Sequence, residues 1–236
     1  MNAITSSFPR RAAAVVVKTS ILCLLAWSTV SPSVAADSAR AVNHGASGAD
    51  ATADAGLVAR IAGQLASYRG VRAHFRQTQT LAALSAPLVS TGTLIFVRER
   101  GVIWRIDTPS HVTYVIGDKS VTKIDASGHR STTGASHGGM AQVTRMMRAM
   151  LSGDLSALYS QFDVAVSGAP ARWQMLLTPN QPQLAQFVKS LRMDGGAFLQ
   201  TLEIDAANGD TTRIEFSASE SIDSRTPAES DWFGTR

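Results

Sequence analysis

Through the middle of the chain, apolar residues recur at every second position in short runs. Val102, Trp104 and Ile106 alternate with Ile103, Arg105 and Asp107, and Val112, Tyr114 and Ile116 repeat the pattern. Such a period places alternate side chains on one face of a strand. The same reading gives strands over Phe75–Thr80, Leu88–Arg98 and Val121–Asp125, with turn residues between them at Arg100-Gly101, Asp107–Ser110, Gly117-Asp118 and Ser127-Gly128. A second series follows at Phe162/Val164/Val166, Trp173/Met175/Leu177, Val188–Met193, Phe198–Asp205 and Thr211–Phe216, where Asn208-Gly209 is the strongest hairpin signal.

Helical spacing appears in two places. Leu57, Ile61, Leu65 and Tyr68 predict an amphipathic helix that ends before Gly70. Met140, Val143, Met147 and Met150, with Met146 close by, predict another over Met140–Leu151; Ser152-Gly153-Asp154 interrupts it, and Leu155 and Leu158 begin a further turn. No helix separates consecutive strands, so they should form an antiparallel meander. Roughly ten strands with one apolar face each curl into a sandwich or barrel. With helices to spare, an incomplete barrel whose open side is covered by helix is the expected α+β architecture. The apolar face is then either filled by its own side chains or left with room for a ligand.

The first 36 residues change the charge picture. The 236-residue chain carries +4 overall, but Arg10, Arg11 and Lys18 fall in 1–36, which holds no acidic residue. Of 22 basic residues, 19 remain against 18 acidic, a net of +1. A nearly neutral remainder gives no electrostatic case for nucleic acid or an anionic membrane. The basic start, the short apolar run Ile21–Val30 and the small residues Ser33-Val34-Ala35-Ala36 read as a secretory signal peptide, cleaved after Ala35 or Ala36. That run is too short to span a bilayer, which takes about 20 residues. Cys23, the single cysteine, lies inside it, so the exported chain should have no disulfide, thiol nucleophile or lipid anchor. Residues 37–56, rich in Ala, Gly, Ser and Asp, read as a disordered spacer. The folded domain is expected over 57–217, and 218–236 as a loosely held polar tail with Trp232 and Phe233 as its aromatic residues.

Catalytic signals are thin. Gly134-Ala135-Ser136-His137-Gly138 matches a G-x-S-x-G elbow, but that arrangement needs a strand before it, a helix after it and a later acid and histidine. No histidine follows His137, so the segment reads as a glycine-rich loop; a secreted serine hydrolase using Ser136 is the competing enzyme reading. His44, His74, His111, His129 and His137 lack paired metal spacing, and no phosphate loop or dinucleotide fingerprint occurs. No cofactor, metal or catalytic residue is expected.

Four short segments carry a resemblance to a known family. They are Phe75-Arg76-Gln77, Gly92-Thr93-Leu94-Ile95-Phe96-Val97-Arg98, Trp104 with Pro109, and Gly117-Asp118-Lys119. In this order, over roughly Leu57–Phe216, the chain resembles the LolA family of periplasmic carriers of outer-membrane lipoproteins. The resemblance implies an open antiparallel barrel of about eleven strands with a helical lid, LolA/LolB-like. It implies a cavity that accepts acyl chains, loaded by an inner-membrane ABC transporter and emptied to an outer-membrane LolB-like receptor by a monomeric carrier without catalysis. The chain departs from the family pattern at Glu99, where proline is usual, and at Val102, Thr122 and Ile124, where aromatics are usual. A paralogue moving a different lipid or glycolipid is the alternative.

On this reading Leu94, Phe96, Trp104, Tyr114 and Ile116 line the interior from one side. Trp173, Met175 and Leu177 line it from the other, and Met147 and Met150 line the lid, where flexible thioethers suit irregular acyl chains. Core packing is the competing role for each. Arg98 falls on the same face as Leu94 and Phe96. A charge on an apolar face needs partners, and its rigid fork of donors suits carbonyls at a helix end. The resemblance makes Arg98 a lid latch; otherwise it reaches solvent from the strand end.

Overall fold

The computed structural model describes residues 48–98, 100–117, 120–134 and 158–222. The expected signal peptide, the expected methionine helix with Met147 and Met150, the segment around Ser136, Glu99, Asp118-Lys119 and Trp232-Phe233 lie outside them.

Among the described residues, one helix precedes the sheet, α1 over Gly48–Ser67. It starts inside the stretch read as spacer. That stretch lacks apolar payload but holds Ala49, Ala51, Ala53 and Ala55. Alanine has the highest intrinsic helix propensity, so the helix extends upstream of its packed portion.

Eleven strands follow, β1 (Gly70–Thr80), β2 (Leu88–Val97), β3 (Gly101–Thr108), β4 (Val112–Ile116), β5 (Ser120–Ile124), β6 (Arg130–Gly134), β7 (Phe162–Ala169), β8 (Arg172–Pro179), β9 (Val188–Gly195), β10 (Leu199–Ala206) and β11 (Thr211–Ser221). A single helical turn, α2 (Pro182–Ala185), links β8 to β9. All pair antiparallel in one sheet of order β6-β5-β4-β3-β2-β1-β11-β10-β9-β8-β7. Two meanders, β1–β6 and β7–β11, are therefore joined by the β1·β11 ladder, in which Phe75 sits opposite Phe216. The two edges, β6 and β7, are consecutive among the described strands.

The sheet must curl. Val121 on β5 and Phe162 on β7 belong to one buried apolar cluster with Val58, Ile61 and Leu65 of α1. In a flat sheet, nine strand spacings of about 4.8 Å would hold β5 and β7 roughly 43 Å apart. Curling lets both margins approach the helix, giving an α+β incomplete barrel with α1 against its inner face. Strand β8 shows the alternation plainly: Trp173, Met175 and Leu177 are buried, while Arg172, Gln174, Leu176 and Thr178 are exposed.

Close approach fixes one glycine. A Cβ on Gly92 would collide with the Arg105 carbonyl and come within 2.9 Å of the Phe75 ring, where the β2·β3 register shifts. Only glycine allows β1, β2 and β3 to pack this tightly there.

The outer face corrects two expectations. It is polar over β9–β11, where Arg192 and Arg213 reach Glu203 at 3.0 and 3.1 Å. Over β2–β4 it is apolar: Ile103, read as part of the polar side, is 0% exposed, and it clusters with Ile95, Val115 and Ile222. Ile222 was assigned to a loose tail, yet its N–H donates to the Gly70 carbonyl at 2.9 Å. Strand β11 runs on to Ser221 and carries Ile222 onto this patch. An alternation count sees two apolar neighbours, Ile103 and Trp104, and assigns only one of them a buried face.

Candidate functional site

The inner face carries one apolar cluster that spans both meanders. Leu94 and Phe96 from β2, Trp104 from β3 and Ile116 from β4 share a buried cluster with Trp173, Met175 and Leu177 from β8, and Tyr114 packs against it half-buried. Residues of the two meanders, more than fifty positions apart in sequence, thus meet on one side of the sheet. Phe75, Leu191, Met193, Leu202 and Ile214, not among the expected lining residues, belong to the same cluster. Their period-two spacing was the available signal. The helix α1 adds Leu57, Val58, Ile61 and Leu65 to the interior.

Polar contacts fix the C-terminal end of α1 to both meanders. Gln64 Nε2 donates to the Gly196 carbonyl at 2.9 Å, and Trp173 Nε1 donates to the same oxygen at 3.0 Å. The Tyr68 ring stacks on Phe198 at 4.8 Å. From the other meander, Arg98 Nη2 donates to the Tyr68 carbonyl at 2.7 Å, and its backbone N–H donates to the Arg69 carbonyl at 3.0 Å. Arg98 therefore sits just beyond β2, with its charge against the carbonyl end of α1. Both the helix dipole and the unpaired terminal carbonyls favour a cation at that place. Its Nε is buried and has no hydrogen-bond partner among the described residues.

The interior is not wholly apolar. Trp104 is 7% exposed and lies against Phe75 with ring centroids 4.2 Å apart. Its Nε1–H is buried without a partner among the described residues. Burial pushes the Tyr114 phenol above its ordinary value, so the hydroxyl stays protonated. Gln77 and Gln79 are also buried on β1. Among the described residues no group of His, Cys, Asp or Glu could hold a metal ion.

The model of a family described as "Outer membrane lipoprotein carrier protein LolA-like" matches residues 47–229. Among solved structures, a LolA superfamily protein from Nitrosomonas europaea is similar at 7% identity, with 76% of this chain and 98% of that one covered and a TM-score of 0.45. A DUF1329 family protein from Desulfovibrio piger is similar at 10% identity, with coverage of 76% and 96% and a TM-score of 0.43. The lipoprotein LppX from Mycobacterium tuberculosis is similar at 11% identity, with coverage of 70% and 94% and a TM-score of 0.40. Among curated proteins none matches.

Proposed function

Since the chain belongs to the outer membrane lipoprotein carrier LolA-like family, we infer that it is an exported carrier that holds acyl chains against the inner face of its sheet. One observation supports this reading most. A single apolar surface is shared by both meanders and α1 in a sheet that stays open between β6 and β7. Removal of the signal peptide after Ala35 or Ala36 would place the carrier in the periplasm. Acylated lipoproteins are the first cargo, taken from an inner-membrane ABC transporter and passed to a LolB-like receptor of the outer membrane. A different lipid carried in a specialised envelope pathway is the variant the sequence departures favour. Met147 and Met150 complete the lining on this reading, and no step of it is catalytic.

Magnitudes make reversible carriage feasible. Each buried CH₂ is worth about 0.8 kcal/mol, so a sixteen-carbon chain gains on the order of 12 kcal/mol before any cost of opening. A hydrogen bond from a charged donor, such as Arg98 to Tyr68, contributes roughly 1.5–3 kcal/mol. Cargo can therefore displace this tie, while the tie still biases the empty state towards closure.

The lipid-free chain should take up a fluorescent fatty-acyl probe and release it to excess unlabelled lysolipid, as read by fluorescence titration. Ser136→Ala should bind the probe identically. Loss of ester turnover in that variant would establish the hydrolase instead, and absence of uptake by the wild type would leave a filled-core docking module.

A further inference from the structure

Among the described residues two tryptophans face the interior, and they differ in one respect. The Trp173 indole N–H is satisfied by the chain's own Gly196 carbonyl at 3.0 Å. The Trp104 N–H is buried and has no partner among the described residues. A buried donor left without an acceptor is costly, and native structures keep few of them. Such a group is explained when something else supplies the acceptor.

Its surroundings indicate what that acceptor is. Strand register sets Leu94 opposite Trp104, Trp104 opposite Tyr114, Tyr114 opposite Lys123 and Lys123 opposite Ser131. Directly opposed residues of an antiparallel sheet share a face, so this row crosses the inner face from the middle of the sheet to the β6 edge. Along it, exposure rises: Leu94 and Trp104 are buried, Tyr114 is half-buried, and Lys123 and Ser131 are exposed. Hydrogen-bonding capacity starts at Trp104 and continues through the Tyr114 hydroxyl, the Lys123 ammonium and the Ser131 hydroxyl. The neighbouring inward positions, Val102, Ile116 and Val121, are apolar. A pure hydrocarbon would use the apolar positions and leave the row idle.

We propose that the Trp104 indole N–H, together with the Tyr114 hydroxyl, receives the ester carbonyl of an acyl glycerol. The hydrocarbon then lies on the apolar surface, and the glycerol end points along the row towards β6. A carbonyl oxygen has two lone pairs and can accept from both donors at once. The site thereby discriminates ester-linked acyl chains from ether-linked or unfunctionalised ones. It rests on the reading of the interior as an acyl-chain site and adds the chemistry at the chain's polar end.

The test compares 1-palmitoylglycerol with 1-O-hexadecylglycerol, which keeps chain length and glycerol but lacks the carbonyl. Both are titrated against the lipid-free full chain by displacement of the acyl probe. A recovered hydrogen bond to a buried donor should make the ester bind about tenfold more tightly than the ether. In Trp104→Phe the ester should lose about tenfold more affinity than the ether, so that the preference vanishes, and Tyr114→Phe should reduce the preference. Equal wild-type affinities, or a preference that survives Trp104→Phe, would overturn this inference and leave the carrier reading standing. Binding of neither lipid would overturn both. The wild-type comparison needs no variant, so it decides the matter even if Trp104→Phe does not fold.

Discussion

Trp173→Ala should destabilise the chain by about 3–5 kcal/mol, the usual cost of truncating a buried large aromatic. The measurement is the midpoint of urea unfolding at unchanged slope. Trp173 is 1% exposed and sits amid Met175, Leu177, Leu191 and Met193, so its loss opens a large void. Gly195 leaves room for the ring, since a Cβ there would sit 2.5 Å from it. Neighbouring residues cannot easily move in to fill the space, because the sheet fixes their backbones on either side. The indole also shares the Gly196 carbonyl with Gln64, so the variant weakens the hold on α1. Against a typical total of 5–15 kcal/mol, this is a large fraction. A change below about 1 kcal/mol would mean that the interior next to β8 is already loosely filled.

Arg98→Leu should do the opposite, leaving the fold intact while impairing release. The backbone bond from Arg98 to Arg69 stays, and leucine suits a position flanked by the apolar end of β2. What disappears is the charged donor to Tyr68. If that tie favours the empty, closed state by roughly 1.5–3 kcal/mol, its removal tightens cargo binding by about ten- to a hundredfold. Transfer of a bound acyl probe to acceptor vesicles should slow accordingly. Arg98→Lys should fall between the two, keeping the charge but losing the planar fork. Release at the wild-type rate from Arg98→Leu would refute the latch.

The fold was largely legible because most strands carry period-two apolar positions. The β8 alternation and the Asn208-Gly209 turn, where Gly209 has φ of 90°, follow the pattern closely. Strand β6 was missed because Arg130–Gly134 holds no apolar residue and every position is exposed; backbone pairing to β5 and the Thr122–Thr132 hydroxyl contact at 2.9 Å define it. The start of β1 was missed because Ala73, buried but small, gives a weak signal beside Arg72 and His74. The outer cluster around Ile103 needs Ile222, over a hundred residues away, and periodicity carries no such pairing. For the site, position was legible and partnership was not. Gly196 accepts through its backbone, and a carbonyl leaves no trace in side-chain identity. Nothing in the sequence distinguishes Trp173, which has an acceptor, from Trp104, which has none among the described residues.

Acyl-chain carriage is tested most directly by native mass spectrometry of the full chain expressed in its own cells and purified from the envelope without detergent. The expected spectrum shows a fraction of the protein with one bound acylated lipid or lipopeptide, whose mass identifies the cargo and whose fragments include ester-linked chains. A spectrum of empty protein only, from a chain that also takes up no acyl probe afterwards, would contradict it.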